Sequence, residues 1–228
     1  MGMDGITAAF QRLADLAGSL VCHQLADRSF IIDGRQLPVC ARDTGIYLGI
    51  FVSAAFVLLS GRLRSDRPPN VRQAAVLCIL MLPMLVDGVG SYLGMYVTNN
   101  TARLLTGVLF GVPIPLFLTP LANFEPAGRN ERAVLRDFGE LAGILAAALL
   151  FSFLILKGYF PYLAAAVLFP AALLFLLGRI SYTVVSMSLR SKRVYRYLLS
   201  AAATLCALLA LYLLSSLVLQ PLKAVFYG

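Results

Sequence analysis

Long apolar runs, broken at intervals by short stretches rich in arginine, dominate this chain. The runs over residues 45–60, 74–97, 102–121, 138–156, 162–189 and 197–219 are comparable with the roughly 20 residues that cross a bilayer as a helix, and they predict six transmembrane helices. Ahead of them, Phe10, Leu13, Leu16, Ala17 and Leu20 recur at helical spacing, with Gln11, Arg12 and Asp15 largely on the other side. That pattern predicts an N-terminal amphipathic helix lying in the interface, with a short span as the alternative. Residues 22–44 carry too many polar groups to face lipid, so they belong at a membrane surface or in a protein cavity.

The predicted architecture is therefore all-α: one integral membrane domain over 1–228, with an amphipathic helix (1–21), a polar motif segment (22–44), three spans in 45–121 and three more in 138–219. Pro83, Asp87 and Gly88 interrupt the second span, and Gly107, Gly111, Pro113 and Pro115 the third, so broken helices are expected in both.

Composition agrees. The chain has 60% hydrophobic and only 13% charged residues, with mean hydropathy +0.83, far from the balance of a soluble domain. This leaves no room for a separate soluble domain. The formal net charge of +8 does not point to nucleic acid. Eleven lysines and arginines fall in the three alternate stretches Arg62–Arg72, Arg129–Arg136 and Arg190–Arg196, the asymmetry expected of cytoplasmic loops. The expected location is the cytoplasmic (inner) membrane of a bacterial-type cell, with residues 22–44 on the extracytoplasmic side. Asp4, Arg12 and Asp15 break the apolar core that a cleavable signal would need, so the N-terminus is expected to stay on. No internal repeat is evident, which disfavours the inverted-repeat transporters.

The polar segment holds the candidate chemistry. Cys22, His23, Cys40 and Asp43 are thiolate, imidazole, thiolate and carboxylate donors of the kind that bind zinc or another divalent metal. The step from Cys40 to Asp43 has the reach of a Cys-x-x-Cys knuckle. Two other readings stay open: a Cys22–Cys40 disulfide stapling an external loop, and unpaired or redox-active thiols. Cys78 and Cys206 lie inside apolar helices and are expected to be small buried hydrophobes.

Arg28, Arg42 and Arg103, with Asn100, are candidates for gripping an anionic or lipid-linked substrate through forked donors. Asp87, counted from the turn at Asn99–Asn100, is expected deep in the second span at about 18 Å, out of reach of Arg103. An ionisable group there is a functional candidate, and Asp87, Arg42 and Arg103 are the candidate catalytic groups. Arg179 is expected to snorkel or to meet Asp87. Gly107-x-x-x-Gly111 reads as a close helix-packing motif.

The segments Cys22-His-Gln…Arg28-Ser-Phe…Gly34…Pro38-Val-Cys-Ala-Arg-x-Thr-Gly-Ile-Tyr-x-Gly49 resemble the signature of a family of small bacterial and archaeal membrane proteins of unknown function. Asp87-Gly88 and Asn100-x-x-Arg103-x-x-Thr106-Gly107-x-x-x-Gly111 resemble its second signature. The likeness spans roughly residues 20–112. It implies a polytopic membrane protein with a cysteine-bearing polar motif and no known activity. The resembled pattern reads Cys-Ala-Arg-Cys where this chain has Asp43. A dithiol pair cannot cycle with aspartate in one position, whereas a metal site accepts carboxylate for thiolate. The sequence therefore favours a metal-dependent membrane hydrolase or transferase in contact with lipid. The alternative is a transporter or lipid flippase with Asp87 and Arg179 along its path, and the oligomeric state is not encoded legibly.

Overall fold

A computed structural model describes residues 11–12, 14–22, 24–125, 128–188 and 193–219. Leu13, His23, Pro126, Ala127 and residues 1–10, 189–192 and 220–228, and with them Asp4, Phe10, Arg190, Lys192 and Lys223, lie outside the described residues.

Residues 11–12 and 14–19 are helical, as the amphipathic pattern requires. The polar motif segment, in an architecture expected to be all-α, contains a β-hairpin, β1 (Ser29–Ile32) paired antiparallel with β2 (Arg35–Cys40). Ile32 sits opposite Arg35, leaving Asp33 and Gly34 as a two-residue turn with φ of 51° and 71°. Asp-Gly is the dipeptide that tolerates positive φ at both central positions of such a turn. The hairpin lets a polar stretch satisfy its own backbone before the chain enters the bilayer.

The first helix, α1 (Ala41–Leu59), starts four residues earlier than the apolar run. Cys40 is its N-cap residue, and the Thr44 hydroxyl donates back to the Cys40 carbonyl at 3.0 Å. Arg42 and Asp43 thus occupy the first helical turn, not a preceding loop. α2 (Val71–Tyr92) begins on an Asn70/Gln73 capping box and runs unbroken through Pro83, so the break expected there does not occur. It ends where Gly94 takes φ +69°, with Met95 N–H donating to the Gly90 carbonyl and Gly94 N–H to that of Ser91, a Schellman termination.

The third span is two helices, α3 (Asn100–Gly111) and α4 (Pro113–Leu121), jointed at Val112 where Pro113 removes a backbone donor. α5 (Phe138–Leu156) and α6 (Tyr162–Ser188) match the expected runs. α7 (Arg193–Leu214) starts four residues before its expected position, so Arg193 and Arg196 belong to the helix and not to the loop. Among the described residues six helical stretches are long and apolar enough to cross a membrane, α3 and α4 counting together.

The core of the bundle is α1 against α3. The two run parallel and touch through backbone: a Cβ built on Gly107 would lie 2.4 Å from the Arg42 carbonyl oxygen, and one on Gly111 2.1 Å from that of Ile46. The expected small-residue motif is real and is reciprocated by Gly45 and Gly49 on α1, where a Cβ would meet the Leu104 and Val108 carbonyl oxygens. Ser53 closes the seam by donating to the Val112 carbonyl at 2.9 Å. Cys78 and Cys206 are exposed on outer helix faces, not buried; a thiol is apolar enough to face lipid.

Two arginine-rich connections meet at one end. Arg62 grips Glu140 with two bonds of 2.6 Å, Asp66 and Arg67 N–H donate to the Arg132 carbonyl, and Arg67 bridges to Ala133. The hairpin lies at the other end, where Arg35 covers the Tyr162 ring at the start of α6.

Candidate metal centre and its surroundings

Three elements converge on the thiol pair. Helical turns at the N-terminus end with Cys22 N–H donating to the Gly18 carbonyl, which delivers Cys22 beside the end of β2. Gln24, at φ 57°, fastens this junction by donating from its side chain to the Asp15 and Pro38 carbonyls, each at 2.9 Å, while Gln36 donates to the Gln24 carbonyl. β2 then carries Cys40 to the N-terminus of α1, and the first turn of α1 returns Asp43 to the same spot.

The Sγ atoms of Cys22 and Cys40 and a carboxylate oxygen of Asp43 all lie within 4.8 Å of one another. Cys22 is buried, and the other two are half-buried. The Cys40 backbone N–H donates to Cys22 Sγ at 3.2 Å, and the Cys40 thiol donates to Asp43 Oδ2 at 3.2 Å. No covalent bond joins the two sulfurs.

The two thiols are driven apart electrostatically. The hydrogen bond from Cys40 holds Cys22 below the ordinary thiol value. The same bond, then burial and the Asp43 charge, pushes Cys40 far up. A Cys22 thiol held down beside a backbone N–H donor is suited to exchange its proton for a cation. Tetrahedral zinc places thiolate sulfurs roughly 3.8 Å apart, so this donor set fits the ion with a small contraction. His23, the fourth donor named from sequence, lies outside the described residues.

The other candidate residues separate into two groups. Arg42 is committed to Asp87, with Nη2 at 2.5 Å and Nε at 3.2 Å from Oδ2. Asp87 is buried, and its Oδ1 has no partner among the described residues. The expectation of a carboxylate about 18 Å deep is overturned: α2 ends at Tyr92, five residues on, because Gly94 turns the chain early, and Asp87 therefore sits at the level of the first turn of α1.

Nor does Arg179 meet Asp87. It donates to the Thr119 carbonyl at the other end of the bundle. Arg103 is buried on the first turn of α3, one turn from Gly107 and so beside Arg42; it forms no ion pair among the described residues. Arg28 is exposed and 3.6 Å from its neighbour Asp27, while the Asn100 side chain donates to the Asp27 carbonyl at 3.4 Å. The Asn100 bond ties the outer end of α3 to the turn that precedes the hairpin.

Sequence reasoning missed the Arg42–Asp87 pair and the fastening role of Gln24. The first was hidden by an assumed helix end. The second had a signal, since Gln24 stands inside the Cys-His-Gln motif. An apolar cavity of about 490 Å³ between Phe51 of α1 and Phe160 to Leu168 holds none of the polar candidates.

Comparison with known proteins bears on the same region. A family described as predicted membrane protein (DUF2085) matches residues 22–117. An uncharacterised protein of Methanocaldococcus jannaschii is 35% identical over 103 residues, 45% of this chain and 64% of that protein. An uncharacterised protein of Methanothermobacter thermautotrophicus is 35% identical over 105 residues, 45% of this chain and 88% of that protein. The match thus falls short of two thirds of the first relative's length but takes in most of the second's. No solved structure matches.

Proposed function

The chain belongs to this family of predicted membrane proteins, and from that premise we propose that Cys22, Cys40 and Asp43 form a divalent-metal site, zinc by preference, serving hydrolysis or group transfer on an anionic or lipid-linked substrate. The observation that carries the reading is the approach of the three donor atoms to within 4.8 Å of one another, brought together from three separate elements. His23 or water completes the ligand set. A bound ion with an open position would supply a Lewis acid or a hydroxide near neutral pH.

The chain's own residues do the rest. The Cys40 N–H and the start of α1 favour a charged Cys22 sulfur. Arg42, held by Asp87, is a positioning residue that fixes the first turn of α1 and with it Asp43. Arg103, without a carboxylate of its own among the described residues, is the group free to orient an anion, and Arg28 and Asn100 stand nearer the mouth. The arginine-rich end faces the cytoplasm of the inner membrane and the metal site faces outward, on the charge asymmetry of the loops. The transporter alternative has less behind it, because Asp87 and Arg179 sit at opposite ends of the bundle, each engaged locally.

Elemental analysis of the full-length protein purified without chelator tests the site. One zinc per chain is expected, lost in Cys22→Ser and Cys40→Ser and retained in Asp43→Cys. A metal-free protein with both thiols intact would refute it. Orientation is tested in whole cells: a membrane-impermeant thiol reagent should reach Cys40 in chelator-treated cells, and labelling only after lysis would reverse the assignment.

A further inference from the structure

At the end of the bundle away from the thiols, a second polar cluster lies among α4, α6 and α7. Arg179 is only 8% exposed. Its Nη2 donates to the Thr119 carbonyl at 2.9 Å, yet its Nε is buried without an acceptor among the described residues. The hydroxyl of Thr119, itself wholly buried, is likewise unpartnered. The guanidinium lies 5.4 Å from the centre of the Tyr182 ring, and Tyr182 stacks on Tyr197 of α7 at 5.3 Å. Arg196, the residue before Tyr197, has another buried Nε with no acceptor among the described residues.

No carboxylate among the described residues answers these charges. Of the eleven acidic residues in the chain, all but Asp4 are described, and none pairs with Arg179 or Arg196. An arginine stays protonated even when buried, and a charge inside a membrane protein is costly unless it is paired. Tyr182 offers only its ring face. Donors left unfilled on α4, α6 and α7, with no carboxylate paired to them among the described residues, describe a site for an anion and not for a cation.

The geometry also narrows the anion. The Arg179 fork at Thr119, with a second unfilled guanidinium on α7 next to Tyr197, suits an oxyanion with several acceptor oxygens, which is the phosphate match of the arginine fork. The cluster lies beside the end of α4, where Ser186 donates to the Ala122 carbonyl, the level at which the chain leaves the bundle. α7 is the least enclosed of the described spans, so the side of the cluster that α7 covers borders the bilayer. We propose that Arg179, with Thr119 and Arg196, binds a phosphate group at this end of the bundle, independently of the metal site. The group is carried by an anionic lipid headgroup or arrives as free phosphate.

Thermal unfolding of the purified full-length protein separates the two sources. The conditions compared are bicelles of phosphatidylcholine, the same bicelles with one third phosphatidylglycerol, and phosphatidylcholine bicelles with millimolar inorganic phosphate. A melting temperature raised by phosphatidylglycerol assigns the lipid, and one raised by inorganic phosphate assigns the free ion. In either case Arg179→Gln should weaken the apparent affinity at least ten-fold, with Arg179→Lys intermediate because it keeps charge and loses the fork. Should Arg179→Gln not fold, Arg196→Gln and Thr119→Val carry the same test, each lowering affinity. No increment with either additive, or an increment that survives all three substitutions, overturns the proposal. Zinc content should be unchanged in every variant.

Discussion

Replacing Gly107 by alanine should destabilise the protein and loosen the metal site, although alanine is the better helix former. The new Cβ would sit 2.4 Å from the Arg42 carbonyl oxygen and 3.0 Å from the Ile46 nitrogen, both backbone atoms that cannot swing aside. Ordinary contact begins near 3.4 Å, so α1 and α3 must part by about 1 Å along this seam. A gap of that size forfeits a quarter to a half of the dispersion energy of the atoms lining it, and overpacking of this kind costs about 1–3 kcal/mol. The gain in helix propensity, about 0.5–1 kcal/mol, offsets only part. The net loss is about 1–2 kcal/mol, or a fall in melting temperature of roughly 2–8 °C for a chain of this size. Gly143 is the internal control: nothing lies within 4 Å of its Cβ position, so Gly143→Ala should leave the melting point level or raise it. Circular dichroism melts of both variants in one detergent decide the matter, and equal shifts would refute the backbone-contact account. Because Arg42 precedes Asp43, Gly107→Ala should also weaken zinc binding where Gly143→Ala does not.

Asp87→Asn should lower stability by about 2–4 kcal/mol, less than for a fully enclosed pair because Arg42 is a quarter exposed; a double-mutant cycle with Arg42→Gln, read by melting, should recover most of it as coupling. Zinc binding near neutral pH should release fewer protons per ion than binding to a pair of ordinary thiols, because Cys22 is held down. Affinity therefore rises with pH, and isothermal titration in two buffers of different ionisation enthalpy counts the protons. At the arginine-rich end, Glu140→Arg should lower the melting point and Arg62→Glu in the same chain should restore much of it, since the pair is bidentate and mostly enclosed. Gly34→Ala, at φ +71°, should strain the hairpin turn by about 1 kcal/mol and slow the recovery of zinc binding after refolding.

Much of this was legible because the bilayer imposes one strong rule: backbone in hydrocarbon must bond to itself, so the apolar runs became helices close to where they were expected. The α1–α3 seam was half legible. Gly107 and Gly111 announced it, while Gly45 and Gly49 were hidden in a motif read for chemistry. The hairpin was spelled by Asp33-Gly34 but masked by the polar company of the segment. The partner of Asp87 was illegible from spacing alone, since it depends on where α2 stops, which a single left-handed glycine decides. The thiol–carboxylate cluster was named from residue types, whereas its assembly needed Gln24 to bind two elements far apart in sequence.

The Arg42–Asp87 pair also bears on the order of biosynthesis. It joins only the first and second spans, so both charges can neutralise one another as soon as that helical pair has left the ribosome, before α3 exists. Each charge inserted singly would cost about 2.5–3.5 kcal/mol at a helix centre, and somewhat less at the depth these two occupy. A nascent chain ending after α2 can thus rest in the membrane as a neutral intermediate, with the cleft for α3 still open. The seam lined by Gly45 and Gly49 then closes when α3 enters, against a first turn of α1 that the Arg42–Asp87 pair already holds.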